Sequence, residues 1–161
     1  MQERSVLVRD YETGDAEATL RIFERAITRT ARSRYTEEQV RAWLGGSRDL
    51  EQWGAERRRV RTFVAEVGGV VAGFTDLDDD GYVDRLFVDP DHGRRGVARA
   101  LLAAVLAAAR SAGLPELTTH ASLVARPVFE REGFRVVHQE EVQRDGVPLV
   151  RFLMRTRLAG E

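Results

Sequence analysis

Cysteine is absent from this 161-residue sequence. Its absence excludes a thiol nucleophile, disulfide bridges and the usual cysteine-based zinc clusters. No apolar run approaches the roughly 18 residues that a membrane-spanning helix requires, and the first residues do not resemble a signal peptide. Acidic and basic side chains nearly cancel, at a formal net charge of −1, which argues against a broad surface for nucleic acid or membrane. We therefore expect one cytoplasmic domain over residues 1–161, without nucleic-acid or membrane partners.

Residues 82–110 carry the clearest pattern in the sequence. Residues 82–88 form a short apolar-rich run, typical of a strand that is buried on both faces. Asp89 and Pro90 end it, because proline cannot donate a hydrogen bond to a neighbouring strand. Beyond them, apolar residues recur at helical spacing. They are Val97, Leu101, Val105 and Ala108 on one stripe, with Leu102, Leu106 and Ala109 beside it. The segment predicts a strand, a tight turn and a long helix.

The turn before this helix is basic. Three arginines surround the N-terminus of the helix: Arg94, Arg95 and Arg99. That end of a helix carries unpaired N–H groups and a partial positive charge, so arginines are unfavourable there unless an anion binds. Gly93 and Gly96 leave the backbone open to close approach. The pattern favours a phosphate site. The alternative is a solvated loop whose arginines pair with Asp89 and Asp91.

The first half of the chain predicts strands and helices in the order β-α-α-β-β. The segments are a strand at 5–9, a helix at 14–32, a short helix after residue 36, and strands at 60–67 and 70–77. Thr36 and Gln39 form a capping-box pattern at the start of the short helix. The Gly-Gly pair at 68–69 predicts a two-residue hairpin turn. Residues 45–59 are expected to form a charged loop anchored by a tryptophan, with the three arginines at 57–59 in solvent.

The second half adds the 82–110 unit and a further helix between strands. The segments are a strand at 117–121, a short helix ending at Gly133, and strands at 134–142 and 147–155. Asp145-Gly146 predicts the hairpin turn between the last two. The predicted order is β-α-α-β-β-β-α-β-α-β-β. We expect an α/β (α+β) fold with a mixed, mostly antiparallel central sheet of about seven strands and about four flanking helices.

Two segments together resemble the GNAT superfamily of N-acetyltransferases. The run Gly93-Arg94-Arg95-Gly96-Val97-Ala98 is similar to the family's motif A loop, Arg/Gln-x-x-Gly-x-Gly/Ala, with glycine at its first position. Motif B, Asn-x-x-Ala-x-x-x-Tyr-x-x-x-Gly-Phe, is matched in spacing by Ser122, Ala125, Phe129, Gly133 and Phe134. Serine here replaces the family's asparagine, and phenylalanine replaces its tyrosine. Residues 35–43 resemble a branch of small, stand-alone bacterial members.

The resemblance implies acetyl-coenzyme A as the acyl donor, and a reaction that needs neither a metal nor a covalent acyl-enzyme. It implies that backbone groups of Leu86, Phe87 and Val88 hold the pantetheine arm and the acetyl carbonyl. It also implies a pyrophosphate site at the motif A loop, formed by Gly93, Arg94, Arg95, Gly96, Val97, Ala98 and Arg99. Ser122 and Phe129 are expected beside the cofactor arm, and packing in the core is the alternative for Phe129.

Three side chains are candidates for moving protons: Asp84, His120 and Tyr82. Strand alternation places Asp84 among apolar neighbours, which would disfavour its ionisation and make it a stronger base. Its alternative is a structural ion pair with an arginine. His120 has a suitable ordinary pKa but is open to a purely structural hydrogen bond. Tyr82 offers a phenol where Phe129 offers none. A bound water as the base, or unassisted departure of the thiolate, are further alternatives.

The favoured function is an N-acetyltransferase that acts on a small-molecule amine or on a protein amine, as a monomer or a homodimer. A catalytically weak acyl-coenzyme A binding module is the alternative that Phe129 favours. A nucleotide-binding domain of another kind has the least support, because the sequence contains neither Gly-x-Gly-x-x-Gly nor a phosphate-loop lysine. Release of free thiol in the presence of amines distinguishes the first two.

Overall fold

The computed structural model of the protein describes residues 5–158. Its strands are β1 (Val6–Asp10), β2 (Arg61–Val67), β3 (Val70–Leu77), β4 (Tyr82–Val83), β5 (Leu86–Val88), β6 (Glu116–Ser122), β7 (Arg135–Arg144) and β8 (Val147–Arg157). The helices are α1 (Ala16–Arg25), α2 (Glu37–Leu44), α3 (Leu50–Arg59), α4 (Val97–Ser111) and α5 (Arg126–Arg131). The predicted mixed class with mostly antiparallel strands is confirmed. The described part of the chain holds one strand and one helix more than expected.

The strands form two four-stranded sheets rather than the single central sheet that was predicted. One sheet has the order β1-β2-β3-β5, and the other has the order β4-β6-β8-β7. All pairs are antiparallel except β4 with β6. The predicted strand at 82–88 is therefore broken into β4 and β5, which belong to different sheets. The two sheets separate at this break.

Side chains of β3 explain why the strand breaks. Asp76 is 2% exposed, and its Oδ1 accepts the backbone N–H groups of Asp84 at 2.7 Å and Arg85 at 3.2 Å. Thr75 Oγ1 donates to the carbonyl of Arg85 at 2.8 Å. Buried backbone groups need hydrogen-bond partners. Between β4 and β5, the side chains of Asp76 and Thr75 supply these partners in place of a neighbouring strand. The chain can therefore leave one sheet and join the other without losing hydrogen bonds.

The helices between β1 and β2 include one that the sequence pattern did not predict. The expected helix at 14–32 is present as α1, followed by a π-helical turn at Ala26–Thr30 and a 3₁₀ turn at Ala31–Ser33. The expected loop at 45–59 contains α3, whose N-terminus is capped by Asp49 accepting from the N–H of Glu51 at 3.0 Å. The arginine run is also divided: Arg57 is buried at 4% exposed, while its two successors face solvent.

The predicted hairpins and the capping box are confirmed. Gly68 and Gly69 have φ of 60° and 81°, and Asp145 and Gly146 have φ of 50° and 75°. Positive φ at both central residues defines the type I′ turn that two-residue hairpins favour. The start of α2 carries the reciprocal hydrogen bonds of the capping box, with Gln39 N–H donating to Thr36 Oγ1 at 3.1 Å.

Helix α4 packs closely on the first sheet. Five of its residues are at most 1% exposed: Val97, Leu101, Leu102, Val105 and Ala109. Gly73 on β3 permits the close approach, because a Cβ there would lie 2.9 Å from both the carbonyl oxygen of Phe87 and Cγ1 of Val97. The start of α4 is thereby held against β5. None of the helices within residues 5–158 is long and apolar enough to cross a membrane.

Candidate active site

The separation of the two sheets leaves one edge of β5 unpaired within residues 5–158. The N–H of Asp89 donates to the carbonyl of Ala72 at 2.8 Å. Because hydrogen-bonded positions alternate along an antiparallel pair, Phe87 also faces β3, where it pairs with Phe74. The N–H and C=O groups of Leu86 and Val88 point to the opposite, open edge. Of the three predicted backbone contacts to the cofactor, Leu86 and Val88 are available, and Phe87 is engaged by β3.

Two cavities meet at this open edge. The first, of about 170 Å³, is called the arginine cavity after its basic lining of Arg48, Arg85, Arg144 and Arg151. The second, of about 150 Å³, is called the apolar groove and is lined by Ile27, Ala31, Leu86, Val88, Ala98, Val124 and Val128 among others. Both cavities share Trp43, Leu86, Phe87, Ser122 and Ala125. The two cavities are therefore adjacent, and together they are called the cleft.

The motif A loop lies at the end of the apolar groove, because Ala98 lines the groove from the first turn of α4. Arg94 has φ of 64° and Gly96 has φ of 80°, so two residues of the loop are left-handed. A loop in which left-handed residues alternate with ordinary ones turns successive N–H groups toward one point, as in anion-binding loops. Gly93, Arg94, Arg95, Gly96 and Arg99 are all exposed.

The carboxylates beside this loop are engaged elsewhere. Arg25 Nη2 lies 3.2 Å from Asp89 and 2.7 Å from Asp91, and Arg29 lies 3.8 Å from Asp91. The alternative in which the loop arginines pair with these two aspartates is therefore wrong. Within residues 5–158, Arg94, Arg95 and Arg99 have no carboxylate within 4.0 Å.

Tyr82 and His120 form a hydrogen-bonded pair in the arginine cavity. The hydroxyl of Tyr82 lies 2.8 Å from Nδ1 of His120, and Nε2 of His120 lies 3.5 Å from Oε1 of Glu140. Burial raises the pKa of Tyr82 to about 12, so the phenol stays protonated. Burial, with the charge of Arg151, lowers the pKa of His120. A neutral His120 can accept the hydrogen bond of Tyr82 and donate toward Glu140.

Asp84 lines the same cavity, but not in the apolar surroundings that strand alternation predicted. Its side chain is 62% exposed, and its nearest basic atom is Nε of Arg85 at 3.8 Å. The expectation failed because Asp84 lies in the break between β4 and β5, where alternation does not hold. The buried carboxylate is that of Asp76, where burial raises the pKa to about 6. No sequence pattern distinguishes Asp76 from the other aspartates nearby, so its burial was not predicted.

Phe129 and Ser122 both border the cleft. The ring of Phe129 is 2% exposed and packs edge-on against Phe134, with centroids 5.0 Å apart. Its core position agrees with the alternative reading, although the ring also borders the arginine cavity. Ser122 Oγ accepts the N–H of Ala125 at 3.0 Å and so caps the turn before α5. Within residues 5–158, no group of three or more histidines and carboxylates could hold a metal ion.

The fold and the cleft define the class of protein. Residues 31–156 match the model of the acetyltransferase (GNAT) domain, and the chain belongs to this family. The resemblance found in motifs A and B and the assignment as an acyltransferase are confirmed. The chain is 36% identical to the uncharacterized N-acetyltransferase YafP of Escherichia coli K12 over 151 residues, which span 94% of this chain and 95% of the relative.

Solved structures share the whole architecture. A GCN5-related N-acetyltransferase from Rhodopseudomonas palustris has a TM-score of 0.90 and 30% identity, covering 98% of this chain and 99% of its own. The yncA acetyltransferase of Salmonella typhimurium, solved with its cofactor acetyl-CoA, has a TM-score of 0.75 and 21% identity, covering 98% and 96%. PaiA from Thermoplasma acidophilum, solved with coenzyme A, has a TM-score of 0.75 and 18% identity, covering 95% and 99%.

Proposed function

We propose that this protein transfers an acetyl group from acetyl-coenzyme A to a primary amine by direct attack within a ternary complex. One observation carries the proposal: two adjacent cavities with shared lining bring together the motif A loop, the open edge of β5 and the Tyr82–His120 pair. Donor and acceptor can enter the cleft from opposite ends and meet near Ser122 and Ala125, which both cavities share. Two solved relatives of the same fold hold acetyl-CoA or coenzyme A.

The residues of the cleft fit the chemistry of coenzyme A. In this proposal the backbone amides from Gly93 to Arg99 hold the pyrophosphate, with help from the arginines that lack carboxylate partners. The apolar groove takes the pantetheine arm, whose amides pair with the free N–H and C=O groups of Leu86 and Val88 as an added strand would. When bound, acetyl-coenzyme A supplies the activated acyl group.

Tyr82 and His120 are proposed to remove the proton from the attacking amine. Oη of Tyr82 accepts that proton while its own proton passes along the 2.8 Å hydrogen bond to Nδ1 of His120. No free phenolate forms, which a pKa of about 12 would make costly. The imidazolium that results lies beside Glu140. Phe129 cannot donate a proton, and a thiol with a pKa near that of cysteine can leave as the thiolate.

A catalytically weak acyl-coenzyme A binding module is the second candidate. Phe129 favours it, because its ring is committed to the core and carries no acidic proton toward the cleft. Such a binding module would bind acetyl-coenzyme A but release no thiol when amines are added.

We predict that His120→Gln and Tyr82→Phe each lower kcat by about 10²–10⁴-fold, the usual contribution of general-base catalysis. The KM for acetyl-coenzyme A should change little, since backbone groups carry that contact. The measurement is thiol release from acetyl-coenzyme A at saturating amine. In the wild type, kcat should fall as pH decreases through the pKa of His120, which lies below the ordinary value of imidazole.

Asp84→Asn is the matched control, because Asp84 borders the same cavity from an exposed position. It should retain kcat within a few-fold. A large loss in Asp84→Asn together with near-normal His120→Gln would assign the base to Asp84 instead. If thiol release is undetectable with every amine while acetyl-coenzyme A still binds, the binding module becomes the better description.

A further inference from the structure

The arginine cavity has more positive charge than its own acidic residues neutralise. Four arginines line it against one carboxylate, that of Asp84, whose side chain is 62% exposed. Arg151 is satisfied by Glu140, at 2.6 Å. Within residues 5–158, Arg48 and Arg144 have no carboxylate within 4.0 Å. The cavity is thus an electropositive chamber beside the proposed proton relay.

Aromatic stacking holds two of these guanidinium groups in place. Cζ of Arg48 lies 4.4 Å from the ring centroid of Phe23, and Cζ of Arg85 lies 4.9 Å from Phe23 and 5.1 Å from Trp53. Nη1 of Arg48 donates to the carbonyl of Leu44 at 2.5 Å, and stacking leaves the remaining N–H groups of the guanidinium available for an oxyanion. Nε of Arg85 is buried and has no hydrogen-bond partner within residues 5–158.

The two guanidinium groups also repel one another. Burial, together with the charge of Arg85, lowers the pKa of Arg48. Arg57 lies behind them, stacked on Trp53 at 4.4 Å, and its only carboxylate neighbour within 4.0 Å in the described residues is Asp76. Such a cluster of like charges destabilises the free protein, and a bound anion relieves that repulsion.

We propose that the acceptor is a small primary amine that also carries an oxyanion group, a carboxylate, phosphonate or phosphate, which Arg48 and Arg85 bind. This inference rests on the proposed acetyl transfer and names its substrate class. Tyr82, His120, Arg48 and Arg85 line one cavity of about 170 Å³, so the amine and the anion of one small molecule can reach both pairs. The positive charge also favours the neutral, nucleophilic form of the amine. Diamines and polyamines are disfavoured for the same reason.

The test compares pairs of amines with the same carbon skeleton, in which the anionic group of one member is replaced by a neutral group in the other. The pairs are alanine with alaninamide, β-alanine with β-alaninamide, and 2-aminoethylphosphonate with ethanolamine, with putrescine as a cationic probe. We expect kcat/KM for thiol release to favour the acidic member of at least one pair by tenfold or more. The first two pairs report a carboxylate and the third a phosphonate, so the preferred pair identifies the kind of oxyanion.

Arg48→Gln removes one guanidinium and should lower kcat/KM for the preferred acid by about ten- to hundredfold, the usual range for a charge-assisted hydrogen bond. The neutral partner amine should be affected little, and Arg48→Lys should restore part of the loss. Arg59→Gln is the control: it removes the same charge from an exposed residue of α3 that does not line the cavity. It should leave the preference unchanged.

Equal or better turnover of the neutral amines or putrescine would overturn this inference and leave acetyl transfer intact. If no amine is turned over, calorimetric titration of the acids into the protein with coenzyme A decides. Binding of an acid that Arg48→Gln abolishes supports the inference, and no binding overturns it. Failure of the proposed acetyl transfer itself would show separately, as no thiol release from any amine, acidic or neutral, while acetyl-coenzyme A still binds.

Discussion

At the scale of single residues, Asp76 does the most to shape the cleft. Its carboxylate is buried on β3, accepts two backbone N–H groups from the break between β4 and β5, and lies 3.6 Å from Nη1 of Arg57. These partners favour the charged form, but burial outweighs them and raises the pKa to about 6. Asp76 is therefore partly protonated in mildly acidic solution, where a free aspartate is fully ionised.

The raised pKa of Asp76 predicts a pH dependence of stability. Below about pH 4 the side chain is protonated in both the folded and unfolded states, and its contribution is fully present. As pH rises from about 4 to about 6, the unfolded chain loses the proton first, so folding loses stability. A gap of about two pKa units corresponds to about 3 kcal/mol.

Asp76→Asn isolates the contribution of Asp76 titration to the free energy of unfolding, because asparagine keeps the Oδ1 acceptor and does not titrate. The difference in unfolding free energy between wild type and Asp76→Asn should shift by about 3 kcal/mol against the wild type between pH 4 and pH 7. Urea unfolding at several pH values measures it. A cost of the substitution that does not change with pH cancels in this comparison, and the attraction of Arg57 is already part of the pKa of Asp76. A difference that stays flat with pH would contradict the raised pKa.

The hairpin glycines and Asp84 show which features could be predicted from the sequence and which could not. The left-handed backbone of Gly68, Gly69 and Gly146 is a local property, so the hairpins could be predicted. The exposure of Asp84 is not local. It depends on Asp76, eight positions earlier, capturing the N–H of Asp84 and ending the strand. An alternating sequence pattern does not reveal a contact between residues eight positions apart. Asp84 was therefore expected to be buried, whereas the buried aspartate is Asp76.

At the scale of elements, the arrangement of loop and α4 could be predicted, and α3 could not. The 15 residues of α4 bury a clean apolar stripe, whereas α3 offers Trp53 as its one large buried apolar side chain among charged residues. That helix is stabilised by tertiary contacts, including the stacking of Arg57 on Trp53. Propensity and periodicity alone do not detect such a helix. The arginine cavity was missed because Arg48, Arg85 and Arg151 are far apart in the sequence and come together only through tertiary contacts.

The two ends of α4 offer a controlled test of the coenzyme A site. Gly96 precedes the helix with φ of 80°, and Gly113 follows it with φ of 74°, each with open space where a Cβ would be. Glutamate at either position costs a similar left-handed strain of about 1–2 kcal/mol. Only Gly96→Glu places bulk and negative charge in the proposed pyrophosphate site.

We predict that coenzyme A at a hundredfold excess over its Kd stabilises the wild type and Gly113→Glu by about 2.7 kcal/mol. Gly96→Glu should fold but show no such gain. Thermal unfolding with and without coenzyme A measures the effect within each variant, so the strain cancels. An equal shift in folded Gly96→Glu would remove the motif A loop from the site.

At the scale of the whole molecule, the cleft lies between two sheets that share a boundary without merging. Where the chain passes from β4 to β5, buried side chains on both sheets satisfy its backbone: Asp76 and Thr75 on β3, and Thr119 on β6. The cleft is therefore held open by polar contacts from both sides. Replacing those contacts by a continuous ladder would close the edge of β5 that the proposed cofactor site uses.

Thr119 gives the most selective test of this boundary. Its hydroxyl donates to the carbonyl of Val83 at 2.7 Å, and the residue is 2% exposed. Thr119→Val keeps the shape and removes this hydrogen bond, while the β4–β6 ladder still pairs Val83, so we predict a loss of about 0.5–1.5 kcal/mol in unfolding free energy. Thr118→Val is the control, because Thr118 is the adjacent residue of the same strand and only half-buried, and it should cost less than about 0.5 kcal/mol.

The position of Thr119 predicts more than a loss of stability. In Thr119→Val, amide hydrogen exchange at residues 83–88 should accelerate more than exchange in the hairpin of β7 and β8, since the lost hydrogen bond lies at the sheet boundary. The KM for acetyl-coenzyme A should also rise in Thr119→Val, because the open edge of β5 begins three residues after Val83 in the chain. If Thr119→Val unfolds earlier but exchange at 83–88 and the KM both match Thr118→Val, the contact supports the core alone, and the cleft is held open by Asp76 and Thr75.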